Sequence, residues 1–133
     1  MFWNRYFIPS FVLMVIIAAL HWVGSLSDYY SADSLFDVPM HFMGGAWVAL
    51  FALWFIATQY GAFLRKFLSV RNLLVFVFVF GVAWEFLELA LKFNTIYDTG
   101  YGFDTTVDLI MDMIGATVVV RLYGKYFSNQ EIK

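Results

Sequence analysis

Residues 72–91 read NLLVFVFVFGVAWEFLELAL, and this stretch decides the fold: it is apolar from Leu73 to Trp84, then carries Glu85 and Glu88 near its end. A helix needs about 20 predominantly apolar residues to cross the roughly 30 Å hydrocarbon core of a bilayer, and this run supplies them. Three runs of the same kind lie around it, at roughly 6–26, 39–58 and 105–122. The expected fold is all-α: a four-transmembrane-helix bundle forming a single membrane domain over residues 1–133.

Composition agrees. Of 133 residues, 62% are hydrophobic and 14% charged, too apolar a balance for a soluble domain of this size. A formal net charge of −2 offers no basic surface to hold a nucleic-acid backbone, so no nucleic acid is expected as a partner. The chain has no cysteine, which excludes disulfides, thiolate metal sites and cysteine nucleophiles. The first run resembles a secretory signal, but it exceeds the ~7–15 apolar residues of a signal core and is expected to be retained as a span.

Cations set the orientation. Arg5 precedes the first run, Arg65, Lys66 and Arg71 separate the second from the third, and Arg121 and Lys125 close the fourth. The positive-inside rule places both termini in the cytoplasm of a multi-pass cell-membrane protein. Asp28, Asp33, Asp98 and Asp104 fall in the outward connections, with Lys92 the cation nearest to them. The inward connection Gly61 to Arg71 mixes Phe and Leu with basic residues and suits the headgroup layer. The outward Asn94 to Asp104 segment, rich in Gly, Tyr and Thr, suits a cover or a plain turn.

Ionisable residues also occur inside the spans. His21 ends the first, Asp37 and His41 begin the second, Glu85 and Glu88 end the third, and Asp108 and Asp112 begin the fourth. At ~1.5 Å per residue, four helices deliver polar groups to one depth near the outer boundary. Spacing of three or four puts Asp37, His41 and Gly44 on one face, Gly81, Glu85 and Glu88 on another, and Asp104, Asp108, Asp112 and Gly115 on a third. The glycines point these faces into the bundle, because small residues mark helix contacts in membranes.

Each acid deep in a span costs roughly 2.5–3.5 kcal/mol on insertion scales. Lys92 can offset one of them at most. Three compensations are available: shared protons, hydration in a cavity open to the outside, or a bound divalent metal. Carboxylates with imidazoles suit Zn, Mn or Fe(II), and a mainly oxygen site suits Mg. The metal ligands expected are Asp37, His41, Glu85, Asp108 and Asp112, with Glu85 and Glu88 as acid or base and His21 and Asp104 as accessory groups. Taken singly, His21 reads as an interfacial anchor and Asp37 or Asp104 as a helix cap. The deeper Glu85, His41 and Asp112 resist that treatment. The tryptophans and phenylalanines read mainly as lipid-facing bulk or interface belts; Trp84 is next to Glu85, but adjacent residues on a helix point about 100° apart, so the sequence does not imply its contact with the site.

The start of the second helix, DVPMHFMG at 37–44, echoes the fourth, DLIMDMIG at 108–115, with Asp, Met, an ionisable residue and Gly in matching places. The same segments, with the Gly-x-x-x-Glu element at Gly81 to Glu85, resemble the VanZ-like family and the similar YjdF-like membrane proteins. The resemblance spans about the last three helices. It implies a small polytopic membrane protein; VanZ-like proteins are associated with glycopeptide (teicoplanin) resistance, and the resemblance supplies no biochemical reaction. VanZ-like chains usually carry Gln in place of Glu88 and Asn in place of Asp112, so these positions look closer to the YjdF-like pattern.

Three functions fit the sequence. The first is a metal-dependent enzyme or binding site for a lipid-borne substrate, without any complete signature such as H-E-x-x-H. The second is proton- or cation-coupled transport, in which homo-oligomerisation would help complete a pathway. The third is a structural membrane subunit whose polar layer fixes helix register.

Overall fold

A computed structural model describes residues 4–26, 36–91 and 100–123. Four long helices run through it: α1 (Phe7–Leu26), α2 (Asp37–Ala57), α3 (Val70–Leu91) and α4 (Tyr101–Tyr123), with a short 3-10 helix at Ala62–Phe67 between α2 and α3. The alternating Val and Phe of α3 would suit a strand in water. In lipid every backbone amide must find its partner internally, and the helix achieves this within one segment. α1, α2 and α3 are long and apolar enough to cross a membrane. α4, at 23 residues, has the length but carries Asp104, Asp108 and Asp112.

Three helices begin earlier than the apolar runs suggest, α3 by two residues at Val70. α2 starts at Asp37 and takes Pro39 into its first turn, where proline's missing amide proton leaves no bond unmade. α4 starts at Tyr101 because Gly100, at φ +97°, turns the chain so that its carbonyl accepts from the amides of Phe103 and Asp104. Asp37 and Asp104 thereby fall in first turns, where a carboxylate complements the helix dipole.

α2 is the hub. Its most extensive packing is on α4, with α1 and α3 also against it and α3 against α4. Small residues explain the α2–α4 pair: a Cβ on Gly45 would run into the Asp112 carbonyl, and one on Gly115 into the Phe42 carbonyl. Ala46, Ala49, Leu53, Ala116 and Val119 continue this seam, and Val77 of α3 joins them in the core. α4 is amphipathic in the sense opposite to a soluble helix, with Ile110, Ile114, Val118 and Leu122 exposed while Asp108 and Asp112 are buried.

At the basic end the α2 C-terminus is closed locally. Thr58 Oγ1 donates to the Phe55 carbonyl at 2.6 Å, and Arg65 donates from Nε and Nη2 to the carbonyls of Ile56 and Ala57, each at 3.2 Å. This satisfies acceptors the helix leaves open and places a cation at its negative pole. The Asn4 side-chain amide donates to the Trp54 carbonyl, and the Tyr6 and Tyr123 rings meet at 5.5 Å, so both ends of the described chain lie here. The opposite, acidic end joins the starts of α2 and α4 to the ends of α1 and α3. Asp28, Asp33, Lys92, Asp98 and most of the Asn94 to Asp104 cover lie outside the described residues.

Candidate functional site

His41 stands at the centre of the acidic end, buried, on the α2 face that meets α4. Its Nε2 lies 3.8 Å from Asp37 Oδ2, one turn earlier on the same helix, and 3.9 Å from Asp108 Oδ2 of α4. Its Nδ1 faces Asp112 Oδ2 at 3.6 Å. One imidazole is thus ringed by three carboxylates, two on one nitrogen and one on the other. A neutral imidazole has a single N–H, so one of its nitrogens turns a lone pair toward acid oxygens unless a cation or proton intervenes.

The glycines make this possible. Asp112 Oδ2 lies 2.6 Å from where a Cβ on Gly81 of α3 would stand, and Oδ1 lies 3.7 Å from the equivalent point on Gly44 of α2. The Asp112 carboxylate therefore occupies a slot cut from two neighbouring helices. Asp108 is 2% exposed, and its Oδ1 has no hydrogen-bond partner among the described residues. A buried carboxylate oxygen left unpaired is costly, and an ordered water, a proton or a bound cation can each satisfy it. Asp37, His41 and Asp108 each offer a ligand atom within 4.8 Å of the others, and as two carboxylates and an imidazole they suit Zn, Mn or Fe(II).

Glu85 is buried beside this group and held differently: Thr105 Oγ1 of α4 donates to its Oε2 at 2.8 Å, while Oε1 has no partner among the described residues. It is not one of the three grouped ligand residues. Glu88 faces the neighbouring cavity and accepts at 2.7 Å from the Trp84 indole N–H. His21 is exposed on α1 and lines the same cavity. Asp104 is exposed on the first turn of α4, outside the three-residue group. Asp112 stands on the Nδ1 side of His41, away from the nitrogen that Asp37 and Asp108 share.

Two partners were not legible beforehand. Thr105 is one of two adjacent threonines, and nothing in its spacing distinguishes it from Thr106, which donates to the Gly102 carbonyl of its own helix. Gly45 looked like a neighbour of the patterned Gly44, yet its missing side chain is what admits the α4 backbone.

A cavity of about 450 Å³ adjoins the cluster between α1, α2 and α3. Asp37, His41, Asp112, Glu88 and His21 line its polar part, and Met14, Ile17, Trp47, Val48, Val77 and Phe80 its apolar part. This volume falls within the usual 300–1,000 Å³ of small-molecule sites.

Apolar helices long enough to span, exposed Phe and Val over their outer faces, and acids turned inward together define a multi-pass membrane protein. The chain matches the family described as "Predicted membrane protein (DUF2238)" over residues 5–129, and it belongs to that family. The match carries the small-membrane-protein part of the resemblance seen in the sequence and does not extend to VanZ-like proteins. No curated protein and no solved structure gives a significant match.

Proposed function

We propose that this protein is a four-span membrane protein with cytoplasmic termini that holds a divalent metal between Asp37, His41 and Asp108, facing the outer leaflet, and uses the site on a lipid-borne substrate. The observation that carries the metal is the environment of His41: Nε2 faces two carboxylates while Nδ1 faces a third. Metal-bound histidines characteristically donate their other N–H to a carboxylate, which fixes tautomer and ring orientation, and Asp112 stands where that acceptor is needed. The unpartnered Asp108 Oδ1 supports the same reading.

A metal in such a site supplies Lewis acidity or an activated water. The chain's own residues would do the rest. Asp37 and Asp108 hold the charge, Asp112 orients His41, and the buried Glu85 is placed to take or return a proton. Three protein ligands leave positions open for substrate, as catalytic sites require. Membership of α4 in the bilayer is supported by its exposed stripe of Ile110, Ile114, Val118 and Leu122, which water would not favour.

Elemental analysis of protein purified in mild detergent tests the reading. One divalent metal per chain is expected, lost in Asp108→Asn and in His41→Gln, and bound about tenfold to hundredfold more weakly in Asp112→Asn. No metal after reconstitution with Zn, Mn, Fe(II) and Mg would overturn the metal reading. His41 would then be the proton-bearing centre of a carboxylate cluster, and proton-coupled transport or a structural role would lead.

A further inference from the structure

The exposed face of α4 forms a groove with α3, away from the acidic cluster. Thr106, Ile110, Ile114, Val118 and Arg121 follow one another along it at spacings of three and four, and Phe78 of α3 stands on its other side. The groove has a volume of about 590 Å³. From Ile110 to Arg121 it runs about 16 Å at ~1.5 Å per residue, close to half of a ~30 Å hydrocarbon core. Its threonines are turned to their own helix: Thr106 donates to the Gly102 carbonyl and Thr117 to the Met113 carbonyl. The wall is therefore apolar until Arg121, whose guanidinium is the group in the lining with donors to offer.

That arginine has company. Arg71 lies seven residues, two turns, before Phe78, so it shares the α3 face that lines the groove, at the same basic end as Arg121. Both arginines are exposed, and neither has an ion-pair partner among the described residues. The helix dipole favours Arg121, in the last turn of α4, and opposes Arg71, in the first turn of α3, so the helices do not themselves account for the pair. No carboxylate lines the groove. An apolar trough half a bilayer deep, with guanidinium groups at its mouth, complements an amphiphile whose head is a phosphate. A second copy of the chain fits less well: two-fold symmetry about the membrane normal would set Arg121 against Arg121 at one depth.

We propose that the groove between α3 and α4 binds one phospholipid with a net negative head, its phosphate at Arg121 and Arg71 and an acyl chain along Val118, Ile114, Ile110 and Phe78. This rests on α4 lying in the bilayer, as proposed above, and not on the metal or on which end faces the cytoplasm.

The test titrates delipidated protein in maltoside micelles with dioleoyl phosphatidylglycerol, dioleoyl phosphatidylcholine and glycerol phosphate, following bound ligand by native mass spectrometry. One phosphatidylglycerol per chain is expected, held at least about fivefold more tightly than phosphatidylcholine, with a loss of about fivefold in Arg121→Gln. Lys66→Gln removes a cation from the same end but outside the groove and should change nothing. Ile114→Trp, exposed on α4, fills the trough and should weaken phosphatidylglycerol while circular dichroism shows the helices intact. Equal binding of the two lipids, an equal loss in Lys66→Gln, or retention in both groove variants overturns the proposal. Glycerol phosphate as tight as the lipid overturns the acyl chain, and a lipid-free dimer broken by Ile114→Trp makes the groove a self-interface instead. Ile114→Cys separates the two readings. If it resists a water-soluble maleimide while the lipids bind alike, α4 stays in the bilayer and the lipid site alone fails; if it is labelled, α4 leaves the bilayer and the lipid site falls with it.

Discussion

Replacing Gly81 by alanine tests whether the α3 surface really positions the Asp112 carboxylate. The added Cβ would stand 2.6 Å from Asp112 Oδ2 and 3.0 Å from Leu109 Cδ2. The leucine methyl can rotate away. The carboxylate must retreat by about 0.8 Å to reach ordinary contact, and it is the same Oδ2 that faces His41 Nδ1 at 3.6 Å. Overpacking of this kind costs about 1–3 kcal/mol, offset by the ~0.5–1 kcal/mol by which alanine exceeds glycine within a helix. Gly81→Ala should therefore destabilise by roughly 1–2 kcal/mol in the native background. In an Asp112→Ala background the obstacle is gone, and the same change should stabilise by up to ~1 kcal/mol. The coupling, about 1.5–3 kcal/mol, exceeds the ~0.3–0.5 kcal/mol within which independent sites add. Reversible SDS unfolding in mixed micelles, followed by far-UV circular dichroism, measures all four proteins. An equal effect of Gly81→Ala in both backgrounds would refute the slot.

Gly115→Ala, whose Cβ meets the Phe42 carbonyl, should lose about 3 kcal/mol or more in the same assay, while Gly102→Ala, whose Cβ meets no other described part of the chain within 4 Å, should gain up to ~1 kcal/mol; losses of equal size would contradict the α2–α4 seam. Thr105→Val leaves Glu85 without its hydroxyl donor and should cost about 1–3 kcal/mol, an effect expected to vanish in a Glu85→Leu background. Arg65→Ala should cost only about 0.5–1 kcal/mol, because its bonds to the end of α2 are largely exposed, and a loss several times larger would mean that the basic end carries more of the fold. Since the chain has no cysteine, single replacements at Ser34 and Lys125 can be labelled in intact cells; Ser34→Cys should react directly and Lys125→Cys only after permeabilisation, and the reverse pattern would invert the proposed topology.

The long elements were legible because hydropathy over a span is a sum over many residues, and no single position decides it. The face assignments were legible for a related reason: spacings of three and four place Asp108 with Asp112, and Asp37 with His41, on any helix, whatever packs against it. What spacing does not contain is which neighbouring helix lies opposite. The spacing grouped Asp112 with the other acids around one centre; it does not contain that Asp112 faces Nδ1 of His41 while Asp37 and Asp108 face Nε2. That distinction depends on the rotation of α4 against α2, which Gly45 and Gly115 set through backbone contacts that leave no pattern in side-chain chemistry. The Glu85 hydroxyl donor was hidden for the same reason, since Thr105 and Thr106 differ only in the direction that the helix turns them.

The echo between the starts of α2 and α4 gains physical content from this packing. Both helices run from the acidic end to the basic end, and each gives a glycine to the other's backbone, Gly45 to Asp112 and Gly115 to Phe42. The close approach that glycine permits is what brings His41 and Asp112, matching positions of the echo, into contact with each other. It also fixes the size of what can neutralise them. A seam this tight has no room for an arginine or lysine side chain to enter from the basic end, and the described cations all stay there. Among the described residues no Arg or Lys stands beside Asp108 and Asp112, and protons, water or a small cation are the partners open to them there. The glycines that build the bundle and the acids that make it unusual are thus parts of one arrangement, and altering either should register in the other.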